Sequence, residues 1–284
     1  MSIDGRTRLA FLLGYPVEHS LSPAMHQAAF AATGLNAVYL PWSVSPAFLP
    51  DAVRGLRTFR NLLGANVTVP HKQAVIPLLD GLTPDAEAMG AVNTILCRED
   101  TLVGENTDGA GFLMSLREAV PHDLSDLTAV VLGAGGAARS VAMSLARAGV
   151  RRLLILNRTL EHARGLAETV AVHVPACEVA AHSLQPGWRA DLVGELHLLV
   201  NTTSVGLRPT DPPLFDYAGL SAATLVCDLI YRPAETPLLA AARQQGCRTV
   251  NGLSMLLHQG ALAFERWVGR GAPIGAMRQA LGLP

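Results

Sequence analysis

Lys72 is the only lysine in this chain of 284 residues; the other twenty-one basic residues are arginine. Arginine stays protonated at any ordinary pH, so it cannot trade a proton with a substrate. Lysine can, once burial or a neighbouring group adjusts it. A compositional preference for arginine explains the other cationic positions but not a lysine at 72, so this position is a candidate for proton chemistry. A lysine in that role needs a carboxylate beside it to hold the ammonium charged and in place. Asp108, in the run Asn106-Thr107-Asp108-Gly109, is the candidate partner, although an aspartate there could also be the N-cap of a following helix.

Other polar runs stand near these two in the first half. Gly14-Tyr15-Pro16-Val17-Glu18-His19-Ser20-Leu21-Ser22-Pro23 closes an apolar run. Ser20 and Ser22 share one side of an extended stretch, so two hydroxyls can face a single anion, while Ser22 before Pro23 also reads as a helix N-cap. Asn66-Val67-Thr68-Val69-Pro70-His71-Lys72 places polar groups at the C-terminal end of a strand, where ligands of open α/β sheets bind. Gly90-Ala91-Val92-Asn93-Thr94 repeats the theme of amides and hydroxyls between glycines. His71 reads as a packed or solvated histidine rather than a catalytic one.

The elements that carry these groups alternate. Strands are expected at Leu9–Leu13, Val38–Leu40, Asn66–Val69, Thr94–Leu96, Leu102–Val103, Thr128–Leu132, Leu153–Leu156, Leu198–Val200 and Leu225–Cys227. Helices are expected at Pro23–Ala32, Pro46–Leu56, Ala137–Ala148, Glu161–Val170, Pro237–Gln245, Leu253–Val268 and Pro273–Leu281. Strands alternating with helices imply parallel sheets with right-handed crossovers.

Thr128–Leu132 runs directly into Gly133-Ala134-Gly135-Gly136-Ala137-Ala138 and an alanine-rich helix. This is G-x-G-x-x-A in a strand–turn–helix context, where glycines let the backbone approach a pyrophosphate seated on the helix N-terminus. About twenty residues on, where an NAD site places a carboxylate on the ribose hydroxyl, stand Asn157, Arg158 and Thr159. A guanidinium and a hydroxyl there favour a 2′-phosphate, hence NADP.

Bulk composition sets the limits. The chain is 50% hydrophobic and 16% charged, with a formal net charge of −1, so no whole-chain pull toward nucleic acid or an anionic membrane is expected. Cys97, Cys177, Cys227 and Cys247 form no CxxC pair, and neither a disulfide framework nor a metal site is expected. No stretch approaches a membrane span, so a soluble cytoplasmic protein is expected.

Together these segments resemble the shikimate dehydrogenase family. The resemblance runs over nearly the whole chain and includes His19-Ser20-x-Ser22-Pro23, Asn66-Val67-Thr68 to Lys72, Gly90-Ala91-x-Asn93-Thr94, Asn106-Thr107-Asp108-Gly109, Gly133 to Ala137 and Asn157-Arg158-Thr159. It continues through Asn201-Thr202-Thr203-Ser204-x-Gly206, Asp228 to Tyr231-x-Pro233, Thr236-Pro237 and Asn251-Gly252-x-x-Met255-Leu256-x-x-Gln259. It implies an α/β fold of a discontinuous α/β substrate domain plus a Rossmann-type NADP-binding domain, with the ligand cleft between them. The substrate domain is expected at 1–107 plus 252–284 and the nucleotide domain at 108–251. The implied activity is reversible NADPH-dependent reduction of 3-dehydroshikimate to shikimate, on the route to aromatic amino acids. By the same resemblance Lys72 and Asp108 sit at the reacting carbonyl. Ser20 and Ser22, with Tyr231, bind the substrate carboxylate, and Thr68, Asn93 and Gln259 bind the ring hydroxyls. Gly133, Ala134, Gly135, Gly136, Ala137, Asn157, Arg158, Thr159, Leu229 and Gly252 fall where the family contacts NADP. A monomer or homodimer is expected.

Two departures stand out. His162 occupies a position where many members carry a second basic residue, which would soften the preference for NADP over NAD, and Gln27 stands where asparagine is common. Three other readings are an NAD-using quinate/shikimate dehydrogenase, a non-catalytic nicotinamide-binding sensor and a split-domain folate dehydrogenase. Asn157-Arg158-Thr159, the intact Lys72 and Asp108, and the Ser-Leu-Ser-Pro loop argue against them in turn.

Overall fold

The apolar runs between glycine and polar turns fold as strands, and the alanine- and leucine-rich stretches between them fold as helices. The computed structural model describes residues 3–98, 100–120, 123–190, 194–208 and 210–284. In chain order the first half holds β1 (Arg8–Gly14), α1 (Ser22–Ala32), β2 (Ala37–Ser43), α2 (Leu49–Leu56), β3 (Leu62–Val67), α3 (His71–Ala74), β4 (Gly81–Leu82), α4 (Pro84–Met89), β5 (Thr94–Arg98), β6 (Thr101–Glu105) and α5 (Asp108–Ala119). The second half holds β7 (Thr128–Leu132), α6 (Gly136–Arg147), β8 (Arg152–Asn157), α7 (Leu160–His173), β9 (Glu178–Ser183), β10 (Leu198–Asn201), β11 (Leu225–Asp228), α8 (Pro237–Gln244), β12 (Arg248–Val250), α9 (Leu253–Val268) and α10 (Ile274–Ala280).

The chain forms two compact units, Met1–Phe112 with Leu256–Pro284, and Leu113–Met255. The divisions fall inside α5 and α9, some residues beyond the breaks at 107/108 and 251/252 read from the sequence. Packing explains where they fall. A Cβ on Gly111 would lie 2.6 Å from the Gln259 nitrogen, so the first turn of α5 is held in the first unit. A Cβ on Gly252 would lie 2.0 Å from the Leu229 oxygen, so the chain around 252 is held in the second.

The first unit has a six-stranded sheet in the order β2-β1-β3-β5-β6-β4. Side chains of β1 alternate between its faces. Ala10 and Leu12 join Ala29, Phe30, Phe264 and Met277 on one side, and Phe11 and Leu13 join Val53, Leu56 and Val75 on the other. Helices therefore cover both faces. The sheet is mixed, contrary to the all-parallel expectation: β3 pairs antiparallel with β5, and β5 with β6. A parallel connection needs a crossover of a dozen or more residues, and only two residues separate Arg98 from Thr101, so β5 and β6 pair antiparallel.

The second unit has a wholly parallel sheet in the order β12-β11-β10-β7-β8-β9. All five residues of β7 are buried, as expected of a central strand covered on both faces. Its edge strands β9 and β12 were not legible in the sequence. They are mostly half-exposed, so neither carries the continuous apolar run that marks a buried strand. Two further boundaries differ from expectation. Pro46–Leu56 divides into a 3₁₀ turn over Pro46–Phe48 and α2, because Pro50 has no N–H for the carbonyl of Pro46. The strand read at Asn66–Val69 is β3, which starts at Leu62 and ends at Val67, so Thr68 to Lys72 leave the sheet at its C-terminal end.

Candidate active site

β1 and β3 are parallel neighbours, so the loops leaving their C-terminal ends emerge side by side. Gly14 ends β1, and a Cβ there would lie 2.3 Å from Thr68 Cγ2 and 3.2 Å from the Val69 carbonyl oxygen. Only glycine lets the serine loop and the Thr68 segment approach this closely. Ser22 is the first residue of α1, not its N-cap. The cap position is Leu21, with no side-chain bond, and the Ser22 N–H donates to Ser20 Oγ at 3.2 Å. The Ser22 hydroxyl is thus not used as a helix cap, which corrects the capping reading.

The second pair of loops comes from the β5–β6 hairpin. Its register sets Thr94 opposite Glu105, which brings the dipeptides Asn93-Thr94 and Asn106-Thr107 alongside each other. Asn106 Oδ1 accepts from the N–H groups of Asp108 at 3.1 Å and Gly109 at 3.3 Å. Asn106 therefore satisfies the first amides of α5, and the Asp108 carboxylate is free to point elsewhere. It meets the lysine: Lys72 Nζ donates to Asp108 Oδ2 at 2.5 Å. Asp108 Oδ1 accepts from Asn93 Nδ2 at 2.9 Å. Asn93 Nδ2 also donates to Gln259 Oε1 at 3.1 Å, and Gln259 Nε2 donates to the Leu256 carbonyl at 2.8 Å.

Every amide orientation here is dictated by groups that can only accept or only donate. The Asp108 carboxylate and the Leu256 carbonyl accept, so Nδ2 of Asn93 and Nε2 of Gln259 face them. The Thr107 N–H donates, so Asn93 Oδ1 faces it, at 2.8 Å. The result is a mostly buried lysine–carboxylate pair held among side chains from α3, the residue before β5, the start of α5 and α9. Such a pair can deliver a proton to an oxygen that gains negative charge and then hold the charge balance. His71, next to the lysine, is buried, with Nε2 2.6 Å from the Val44 carbonyl oxygen, and it packs rather than reacts.

Asn93 and Gln259 are among the expected site residues; Thr94 and Thr107, the hydroxyls that lock Asn93, are not. The repeated Asn-Thr dipeptide was the available signal. Tyr231 lies in the second unit, half-buried on the loop after β11.

The fingerprint is set by the second unit's own backbone. Gly133 has φ of 110° and a Cβ there would lie 2.7 Å from Thr202 Oγ1, so a side chain is excluded twice over. Gly135 is the N-cap of α6 and makes no side-chain capping bond, and a Cβ on it would meet nothing within 4 Å. Open space therefore lies over the first turn, whose amides no capping side chain occupies, which suits an anion. Arg139, four residues on, has a buried Nε with no hydrogen-bond partner, and burial lowers its pKa. A cation in the first turn opposes the helix dipole unless an anion shares the site. β8 ends at Asn157, whose Nδ2 donates to the Thr159 carbonyl at 2.9 Å and shapes a turn that exposes Arg158 and Thr159. No carboxylate stands at that strand end. Leu229 donates its N–H to the Asn201 carbonyl at 2.9 Å and lies against Gly252. These residues suit a dinucleotide with an extra phosphate. Among the described residues no group of three or more His, Cys, Asp or Glu is placed to hold a metal ion, and no helix is long and apolar enough to cross a membrane. All four cysteines are free.

A parallel-sheet unit with a glycine-rich turn, joined to a mixed-sheet unit holding a lysine–aspartate pair, defines a dinucleotide-dependent oxidoreductase. The family profiles agree. The shikimate dehydrogenase substrate binding domain matches residues 12–95, shikimate / quinate 5-dehydrogenase matches 115–185, and the shikimate 5′-dehydrogenase C-terminal domain matches 252–281. The chain is 50% identical over 282 residues to the shikimate dehydrogenase (NADP(+)) of Symbiobacterium thermophilum, covering 97% of this chain and 94% of that one. Shikimate 5-dehydrogenase from Thermus thermophilus, solved with NADP(H) and shikimate, is 37% identical with a TM-score of 0.83 over 97% of this chain and 98% of that one. Quinate dehydrogenase from Corynebacterium glutamicum, solved with NAD, is 33% identical with a TM-score of 0.85 over 96% and 98%. The chain belongs to the shikimate dehydrogenase family.

Proposed function

We propose that this protein is an NADP-dependent shikimate dehydrogenase that interconverts 3-dehydroshikimate and shikimate in the cytoplasm. The observation that carries the reading is the buried Lys72–Asp108 pair, 2.5 Å apart and fixed by Asn93. NADPH, when bound, supplies the hydride for the ketone carbon. As charge develops on the ketone oxygen, the Lys72 ammonium stabilises it and gives up a proton to it. Asp108 holds the ammonium in place and aimed, and the same pair acts as base in the reverse direction. Ser20 and Ser22 are hydroxyl donors for the substrate carboxylate, and Tyr231 supplies a phenol hydroxyl for the same anion. Thr68, Asn93 and Gln259 orient the ring hydroxyls. Gly133, Ala134, Gly135, Gly136 and Ala137 hold the pyrophosphate against α6, Asn157, Arg158 and Thr159 hold the 2′-phosphate, and Leu229 and Gly252 line the nicotinamide end.

The alternative is NAD-dependent oxidation of quinate. The exposed Arg158 and Thr159, with no carboxylate at the end of β8, favour NADP. One assay matrix tests both: shikimate and quinate, each with NADP⁺ and NAD⁺. The highest kcat/KM is expected for shikimate with NADP⁺. A preference for quinate with NAD⁺ would overturn the assignment.

A further inference from the structure

Tyr39 lies on β2 and is 4% exposed, inside a cluster of Met25, Ala29, Phe30, Phe264 and Trp267. Phenylalanine would fill that apolar space equally well, and a phenol hydroxyl buried there is costly unless it has a partner. The hydroxyl has one outside the cluster: it donates to Asn66 Oδ1 at 2.8 Å. The ring packs against two other rings. His26 stacks on it at 4.5 Å with planes 7° apart, and Trp267 lies tilted at 6.3 Å. His26 is fully buried, and its one polar neighbour is the Asn66 side chain, to which neither ring nitrogen makes a well-formed hydrogen bond; burial outweighs that neighbour and pushes the His26 pKa down to about 3, so it stacks as a neutral ring. The strand is held too, since Gln27 Oε1 accepts from the Tyr39 N–H at 3.3 Å and Gln27 Nε2 donates to the Ala37 carbonyl at 3.4 Å.

From Asn66 the bonds continue toward the site in one direction. Asn66 Nδ2 donates to the Asn93 carbonyl at 3.2 Å and to Thr94 Oγ1 at 3.1 Å. The Thr94 hydroxyl donates to Asn93 Oδ1 at 3.0 Å. Asn93 Nδ2 then donates to Asp108 Oδ1 at 2.9 Å, and Asp108 Oδ2 accepts from Lys72 at 2.5 Å. The Asn93 carbonyl fixes Nδ2 of Asn66 and the Thr107 N–H fixes Oδ1 of Asn93, and the Tyr39 hydroxyl supplies the well-formed donor that Asn66 Oδ1 accepts at 2.8 Å. In a buried network of this kind the loss of one donor leaves a lone acceptor that the rest must rearrange to satisfy.

We infer that Tyr39 is a positioning residue for the Lys72–Asp108 pair, its hydroxyl anchoring Asn66 and, through Thr94, holding Asn93 in place. The inference rests on reading that pair as the reacting site. Tyr39 itself touches no reacting atom.

The test uses the full-length protein and the variants Tyr39→Phe, Thr94→Val, Thr94→Ser and the double Tyr39→Phe/Thr94→Val. In Tyr39→Phe, kcat/KM for shikimate falls about tenfold, while KM for NADP⁺ and the far-UV spectrum stay at wild-type values. Thr94→Val causes a similar loss, and Thr94→Ser, which keeps the hydroxyl, restores it. In the double variant the loss is smaller than the product of the two single losses, because both cut the same chain. Wild-type kcat/KM in Tyr39→Phe, or multiplicative losses in the double variant, would overturn the inference. A second readout does not depend on the substrate. The side-chain amide proton resonances of Asn66 and Asn93 must both move in Tyr39→Phe. If Asn93 keeps its resonances, Tyr39 does not position it, whatever the protein turns over. Absence of shikimate turnover by the wild type, with both amides responding, would refute the proposed substrate and leave the coupling standing.

Discussion

The Nζ of Lys72 lies 2.5 Å from Oδ2 of Asp108, with only 14% and 5% of the two side chains exposed. A surface ion pair contributes little and is screened by salt, but a mostly buried one leaves a lone charge behind if either partner is removed. The pair is therefore a commitment of the fold to hold a cation at this position. It also separates two tests. Lys72→Ala should lower kcat by about two to four orders of magnitude, the usual range for loss of a positioned proton donor. NADP⁺ affinity, measured by quenching of protein fluorescence, should stay unchanged. Lys72→Arg keeps the charge and loses the proton exchange, so turnover should stay low; wild-type turnover would reduce Lys72 to an electrostatic anchor.

Asp108→Asn probes the other partner, and the structure removes the usual objection to it. An aspartate at the start of a helix is commonly a cap whose loss destabilises the protein. Here Asn106 Oδ1 accepts the first amides of α5, so Asp108 has no capping duty. The variant should melt close to the wild-type temperature by circular dichroism while kcat falls about a hundredfold or more. A matched loss of helix stability would show that the carboxylate serves the fold rather than the chemistry.

Much of this was legible in the sequence because the chemistry depends on short, rigid motifs. The glycine-rich turn, the strand ahead of it and the lysine with its candidate aspartate each reside in one local run. What was not legible depends on register and pairing at a distance. Nothing in the run around Asp108 says that Asn106 satisfies the helix start. Nothing in Ser22-Pro23 says that Ser20, rather than Ser22, supplies the local hydroxyl acceptor. The antiparallel β5–β6 pairing that aligns two Asn-Thr dipeptides follows from a hairpin too short for a crossover, and short apolar runs look alike in either orientation. The edge strands β9 and β12 escaped for a related reason: half-exposed residues have no apolar period to read.

Asp228 gives a pH prediction. It is fully buried, and Oδ1 accepts from Asn201 Nδ2 at 3.0 Å and from the Ile230 N–H at 3.1 Å, while Oδ2 accepts from the Thr236 hydroxyl at 2.7 Å. Burial raises its pKa, more than those three donors lower it. A carboxyl whose folded pKa is raised is most favourable to stability below its unfolded pKa of about 3.9, and that advantage is lost as pH climbs through the folded value. At neutral pH the buried charge therefore works against the fold. Asp228→Asn keeps both Oδ1 contacts and presents an amide to Thr236 Oγ1. Its melting temperature should exceed that of the wild type at pH 7.5, with the gap narrowing as the pH falls toward 4. A gap independent of pH would show that the charge is not the cause.

Cofactor choice supplies the last prediction. Arg158 and Thr159 are exposed at the end of β8, and His162 is exposed in the first turn of α7. A cation at 162 would oppose the positive end of the α7 dipole by roughly 0.3–1 kcal/mol in the free protein. A 2′-phosphate beside it would reverse that sign, because the dipole and the cation would then both attract the same anion. His162→Arg should therefore lower the melting temperature of the free protein slightly, raise NADP⁺ affinity several-fold and leave NAD⁺ affinity unchanged. Arg158→Ala should do the opposite, cutting NADP⁺ affinity about tenfold, the scale of a charge-assisted contact to phosphate, and sparing NAD⁺. Isothermal titration of the two nucleotides against wild type and both variants measures this directly. Equal changes for NADP⁺ and NAD⁺ would mean that neither side chain reads the 2′-phosphate, and the source of selectivity would have to be sought in Thr159 or Arg139.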